Sequence, residues 1–216
     1  IHPDRLIGLF AKDILLNEES GDGSDESRTI LYDVKCSMGV EEAIALSGGI
    51  GRMVRTGHSF MKRELAACPD IKFAGEMSGH LFFNDRWNGF DCSLYNSARL
   101  IELVARSSDP NNDGIEFSDL LVSIPDYPST GESKIIFEGE RDDIMKSVRS
   151  SFSDLQFSEV DGVRVAYPDG WFLCRPSNTE PILIMRAEGR TAAALESILS
   201  DVHARIGGII DLRELR

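Results

Sequence analysis

Four short segments of this 216-residue chain carry polar side chains that a hydrophobic core does not need. Asp33-Val34-Lys35-Cys36-Ser37 presents one ammonium group directly after a β-rich run, and a lysine is a point charge suited to phosphate. A solvated surface lysine is the plainer alternative. Arg55-Thr56-Gly57-His58-Ser59 reads as a strand-to-helix turn: the glycine admits close backbone approach, the helix start would favour an anion, and Lys62 and Arg63 add positive charge. The same residues could serve only to cap the helix. Gly75-Glu76-Met77-Ser78-Gly79-His80 joins two strand-like runs, and Glu76 can accept two hydroxyl hydrogen bonds while Ser78 gives or takes one. That is how a vicinal diol is held, although a tight hairpin with a hydrogen-bonded structural His80 would use the same residues. Arg175-Pro176-Ser177-Asn178-Thr179-Glu180-Pro181 gathers donors from Arg175, Ser177, Asn178 and Thr179 between two stiffening prolines. Such an arc would cradle a phosphate dianion, and its alternative is a turn capped by its own side chains.

All four segments lie where a strand has ended or is about to begin, the edges at which ligand groups gather. The periodicity predicts a helix over residues 3–16, a solvated acidic loop over 17–28, a strand over 29–34, a helix over 40–46, a strand over 52–55 and a helix over 59–67. Strands over 71–74 and 81–83 and an amphipathic helix over 93–105 follow. The expected loop over 109–114 and short helix over 117–122 then lead to a breaker-rich stretch, with a boundary between Ser123 and Gly131. Beyond it the pattern predicts a strand around Ile135, a helix over 142–150, strands near Leu155, Val163, Trp171 and Ile182, and a helix over 191–205. The expected fold class is therefore α/β: a layered α/β domain with a mixed sheet over 1–124, then a small α+β domain with an antiparallel sheet over 125–216.

Composition narrows the partners. Acidic residues outnumber basic ones by 36 to 23, and the resulting net charge of −13 opposes broad attraction to nucleic acid or to an anionic membrane surface. No run approaches the length of a membrane-spanning helix, so a cytoplasmic protein is expected. Cys36, Cys68, Cys92 and Cys174 form no C-x-x-C pair, which argues against a zinc knuckle and for reduced thiols. The chain opens at Ile1 rather than at methionine, directly before an amphipathic segment, and is read as a fragment.

In this order and roughly 100 residues apart, the 75–80 and 175–181 segments resemble the sugar-binding and phosphate-binding loops of the α-D-phosphohexomutases. Met77 is most similar to the bacterial phosphomannomutase/phosphoglucomutase branch, and Asp33-Val34-Lys35-Cys36, Thr56-Gly57-His58-Ser59 and Asp85-Arg86-Trp87-Asn88-Gly89-Phe90-Asp91 resemble that branch's third domain. Arg55 stands where the branch is expected to carry lysine. The resemblance runs through most of the chain and covers the third and fourth of the family's four domains. The phosphorylated serine of the first domain and the Asp-Gly-Asp-x-Asp-Arg magnesium loop of the second have no counterpart here.

The resemblance implies a reversible mutase that moves phosphate between the 1 and 6 positions of glucose or mannose through a bisphosphorylated intermediate. Lys35, Arg55, His58, Glu76, Ser78 and His80 would bind the phosphohexose, and Arg175, Ser177, Asn178 and Thr179 its phosphate, with His80 the candidate for proton transfer. The cofactors implied are Mg2+, on ligands outside this chain, and glucose 1,6-bisphosphate; the partner implied is the N-terminal part of the same enzyme. Without the serine nucleophile and the metal, this polypeptide alone is expected to show no mutase activity. A free-standing phosphosugar-binding module, and a mutase for another sugar phosphate such as glucosamine phosphate, are the other readings.

Overall fold

Ile7, Phe10, Ala11 and Ile14 recur at helical spacing and are all buried, which gives helix α1 (Pro3–Asn17) one face to pack. The computed structural model describes residues 1–17, 24–107 and 116–215. Residues 18–23 of the first expected loop, and all of the loop expected over 109–114, lie outside them. The chain divides into two compact units, Ile1–Asp126 and Tyr127–Arg216.

In the first unit, β1 (Thr29–Asp33), α2 (Met38–Leu46), β2 (Ile50–Val54), α3 (His58–Ala67), β3 (Phe73–Gly75) and β4 (Leu81–Phe83) alternate before α4 (Ser93–Ser107) and the short α5 (Phe117–Leu121). The sheet order is β2-β1-β3-β4, with the first three strands parallel and β4 antiparallel to β3. Side chains alternate between its two faces. Ile30, Tyr32, Phe73 and Phe83 pack with α1 and α2, whereas Leu31, Ala74 and Phe82 pack with Met61 and Leu65 of α3. Every residue of β1 is buried, as a central strand covered on both sides requires. The strand expected over 71–74 starts later, because the Ile71 amide donates to the Cys68 carbonyl in a turn (3.1 Å) and its own carbonyl accepts from Asn84 Nδ2 (2.9 Å).

In the second unit, β5 (Ser133–Ile136), α6 (Arg141–Ser151), β6 (Phe157–Ser158), β7 (Val163–Tyr167), β8 (Gly170–Pro176), β9 (Ile182–Gly189) and α7 (Ala192–Ile206) follow in order. The five strands form an antiparallel sheet in the order β5-β9-β8-β7-β6. One face, carrying Val163, Val165, Phe172, Cys174, Leu183 and Met185, shares a core with α6 and α7. The strand expected near Leu155 is displaced: the Leu155 amide donates to the Phe152 carbonyl (3.0 Å) in the turn that ends α6, so pairing begins only with Phe157 opposite Val165. The molecule is thus a mixed-sheet α/β unit followed by an antiparallel α+β unit. Among the described residues no helix is long and apolar enough to cross a membrane.

Candidate functional site

The carboxyl ends of β1, β2 and β3 lie side by side, and the segments that leave them are three of the four singled out in the sequence. In an open α/β sheet this edge is the ligand edge, and the crevice between β1 and β3 marks the point where the strand order reverses. Asp33, the last residue of β1, is fully buried and joins the three segments. Its Oδ2 accepts from Thr56 Oγ1 (3.0 Å), and its Oδ1 accepts from the Met77 amide (3.2 Å) and from Cys36 Sγ (3.0 Å). Burial first, and then the Asp33 charge, push the Cys36 thiol well above its ordinary range, so it stays protonated as a donor. Lys35 is buried two residues beyond the strand, and Ser37 caps α2 by accepting from the Gly39 amide (3.0 Å).

Glu76 ends the same crevice from β3. It is 1% exposed, and its Oε1 accepts from the Gly57 amide at 2.6 Å, while its other oxygen has no hydrogen-bond partner among the described residues. Gly57 holds a φ of 134°, a conformation strained for any side chain, so the glycine lets this amide turn toward the carboxylate. Burial raises the Glu76 carboxyl above its usual range; the Gly57 N–H opposes that, Asp33 reinforces it, and the His80 and Lys35 charges pull it back. The turn that follows is closed by the Glu76 amide on the His80 carbonyl (2.9 Å) and the Gly79 amide on the Glu76 carbonyl (2.8 Å). Ser78 is exposed on it. The His80 ring lies 6.0 Å from the ring of the exposed His58, with its Nδ1 2.5 Å from Asp91 Oδ2. Arg55 is exposed, its guanidinium 4.6 Å from the centre of the Phe60 ring. The unit therefore brings Lys35, Glu76, Ser78, His58 and His80 to one edge, and Arg55 to its rim.

The fourth segment belongs to the second unit. Asn178 and Thr179 are exposed in the loop between β8 and β9, and Ser177 Oγ accepts from the amides of Thr179 (3.3 Å) and Glu180 (3.2 Å). Arg175 is not in the loop, as expected from sequence, but within β8. It is 2% exposed, and its Nε donates to the buried Asp161 Oδ2 at 2.8 Å, while Nη2 is buried without a hydrogen-bond partner among the described residues. Asp161 reaches it from the β6–β7 turn, where Gly162 has a φ of 82° and a Cβ would come within 2.6 Å of Arg175 Cα. Only glycine lets that turn pack so close.

Sequence reasoning quoted Asp33 and Asp91 inside their motifs without assigning either a task, and it missed Asp161 and Arg186. Register accounts for Arg186: it faces Leu173 across the β8–β9 pair and so shares a sheet face with Arg175. A charge in the middle of the apolar run 182–187 was the available signal. Among the described residues no group of three or more His, Cys, Asp or Glu could hold a metal ion.

Residues 2–121 match the model of the phosphoglucomutase/phosphomannomutase alpha/beta/alpha domain III, and residues 134–204 match that of the C-terminal domain of the same family. The chain is 39% identical over 209 residues to a phosphomannomutase/phosphoglucomutase of Pseudomonas syringae, covering 95% of this chain and 42% of that protein. It is 38% identical over 211 residues to a phosphoglucomutase of Neisseria meningitidis, covering 95% of this chain and 43% of that one. A crystal structure of a phosphoglucomutase/phosphomannomutase family protein from Burkholderia thailandensis matches 97% of this chain and 42% of its own, with a TM-score of 0.81 and 37% identity. The chain thus spans less than half the length of each of these relatives.

Proposed function

This chain belongs to the phosphoglucomutase/phosphomannomutase family, and from that premise we propose that it is the substrate-binding C-terminal part of a cytoplasmic enzyme moving phosphate between the 1 and 6 positions of glucose or mannose. The observation that carries the reading is the joining of three separate loops at the carboxyl edge of one sheet through buried Asp33 and Glu76. Fixing two carboxylates there is costly unless the loops must hold one geometry. Residues 1–124 form the sugar-binding domain, where Glu76 and Ser78 take hydroxyls, Lys35 and Arg55 supply positive charge, His58 offers a ring nitrogen to the sugar or its phosphate, and His80 exchanges a proton. Residues 125–216 form the phosphate-binding domain. There Asn178 and Thr179 offer exposed donors, Ser177 shapes the loop, and the orphan Nη2 of Arg175 is a donor that an anionic oxygen would satisfy.

In the proposed reaction a sugar hydroxyl oxygen bonds to phosphorus as its proton passes to a base such as His80, and the bond from phosphorus to a serine oxygen of the preceding part breaks, that oxygen taking up a proton. The reverse transfer at the other end of the bisphosphorylated sugar completes the exchange, with glucose 1,6-bisphosphate as the intermediate. Mg2+ would neutralise charge on the transferring group, and its ligands would lie outside this chain, since the residues described do not fit a metal. The 216-residue chain alone is then expected to be inactive. Titrating the labelled chain with glucose 1-phosphate or mannose 1-phosphate tests the binding reading: amides of His58, Ser78, Asn178 and Thr179 should shift, and Glu76→Gln should abolish the sugar-loop response while sparing the phosphate loop. Absence of any response at either loop, or turnover of glucose 1-phosphate by the chain alone, would sink it.

A further inference from the structure

The His80 ring is held from two directions. Its backbone carbonyl closes the turn on the Glu76 amide at 2.9 Å, and its Nδ1 lies 2.5 Å from Asp91 Oδ2. Asp91 is placed by backbone pairing, since it bridges to Phe82 of β4 and so sits opposite the strand that His80 enters. An ionised carboxylate has no proton to give, so the hydrogen between these atoms belongs to Nδ1 and the imidazole donates. Proton exchange with anything else is thereby confined to Nε2, which has no hydrogen-bond partner among the described residues. The charged and titratable groups facing the ring are Asp91, Glu76 and His58.

We infer that Asp91 is a positioning residue for His80: it fixes the Nδ1–H tautomer and the ring orientation, leaving the Nε2 lone pair to take the proton of a substrate hydroxyl. The assignment rests on the reading of this edge as the sugar site. A carboxylate on Nδ1 also faces the positive charge that appears on the ring once Nε2 has been protonated, and it does so without taking the proton itself. The pair is half exposed, with side chains 44% and 32% accessible, so its effect on the ring is a matter of orientation and tautomer more than of raw affinity.

Long-range nitrogen–proton correlation spectra of the full 216-residue chain at alkaline pH read the tautomer directly, and His80→Asn identifies its signals among the four histidines. The Nδ1–H form should dominate at His80, and Asp91→Ala should lower the ratio of Nδ1–H to Nε2–H by about tenfold, the scale of one charge-assisted hydrogen bond. Asp91→Asn, which keeps a neutral acceptor of the same shape, should fall between the two. A proton resident on Nε2 in the unmodified chain, or an unchanged ratio in Asp91→Ala, would overturn the assignment. None of these spectra needs a ligand. Addition of glucose 1-phosphate should then move the His80 Nε2 resonance; its failure to move, with the tautomer as expected, would count against the sugar site and leave the Asp91–His80 geometry standing.

Discussion

The two units fix their loops with buried charge of opposite kinds. In the first, the carboxylate of Asp33 accepts hydrogen bonds from three segments that the chain visits far apart, so one anion sets the relative position of three loops. In the second, the guanidinium of Arg175 donates to Asp161, and in the exposed loop beside it the Ser177 hydroxyl accepts from two amides. A shared hub makes several loops depend on one group, whereas a private ion pair fixes one strand and leaves the loop to itself. The side chains proposed to face a ligand, Ser78 and His58 in one unit and Asn178 and Thr179 in the other, are exposed, whereas Asp33, Glu76, Asp161 and Arg175 are buried.

Breaking the private pair should have the largest effect on stability. Asp161→Ala leaves the Arg175 cation buried without its partner, and a loss of about 3–5 kcal/mol is expected, confined to the second unit. The two tryptophans separate the units: Trp171 is buried in the second and Trp87 lies in the first, so variants carrying one tryptophan at a time report on each. Denaturant unfolding followed through Trp171 should show the loss and Trp87 should not. Arg175→Ala removes the same ion pair from the other side and should also destabilise the second unit. Any drop in phosphosugar affinity in that variant therefore has to be compared with its loss of fold before it is assigned to a lost ligand contact. A change below about 1 kcal/mol in both variants would mean that the pair is no anchor.

Breaking the hub comes next. Asp33→Ala removes the acceptor to which the Thr56 hydroxyl, the Cys36 thiol and the Met77 amide donate, and about 2–3 kcal/mol of first-unit stability should go with it. The comparison predicts a second sign that Asp161→Ala should lack: hydrogen exchange at Thr56, Gly57 and Met77 should accelerate together, because one acceptor served all of these segments. Independent behaviour of the loops in this variant would show that the hub does not couple them.

How much of this could be read beforehand follows from sequence separation. The element order, the alternation of strands with helices in the first unit and the four polar segments were legible because each is local: period, caps and breakers act over a few residues. The hub was not, since Asp33 meets Thr56 and Met77 across 23 and 44 residues, and no local pattern says which neighbouring loop a carboxylate will serve. Arg175 was given to the loop because Pro176 reads as a breaker, yet Pro176 closes β8 opposite Leu183, at a strand end where a missing amide hydrogen is tolerated. The two-residue β6 is too short to show any period, which is why Leu155, an apolar residue in a turn, stood in for it. Glu76 was legible as a hydroxyl acceptor; that one of its oxygens already holds Gly57 was not.

Glu76 sharpens the contrast through pH. Its carboxyl is raised by burial, so folding favours the protonated form, and its contribution to stability is full below the unfolded value and lost as pH rises through the folded one. Stability of the first unit should therefore fall as pH rises from about 4, the range of a free glutamate, through the raised folded value, and Glu76→Gln should remove this part of the slope. The variant should be no less stable than the parent near neutrality while losing the sugar-loop response, the pattern of a group kept charged for binding at the expense of the fold. The same slope in both proteins, followed through Trp87, would show that Glu76 is not the group that titrates.

The smallest effect concerns the loop that the private pair leaves to itself. Glu180 sits at its end and places a negative charge where a phosphate is proposed to bind, but Lys134 Nζ lies 3.0 Å from its Oε2 and offsets it. Both side chains are more than half exposed, so the pair is worth about 0.2–1 kcal/mol at most, and Lys134→Ala should barely move the Trp171 transition. Phosphate affinity should respond more than stability does, falling in Lys134→Ala, where Glu180 is left unopposed, and rising in Glu180→Gln. Both responses should shrink as salt is added, since the charges face water. Inorganic phosphate titrated against the amides of Asn178 and Thr179 measures this directly, and equal affinities in the parent and both variants at low salt would separate the pair from the anion site altogether.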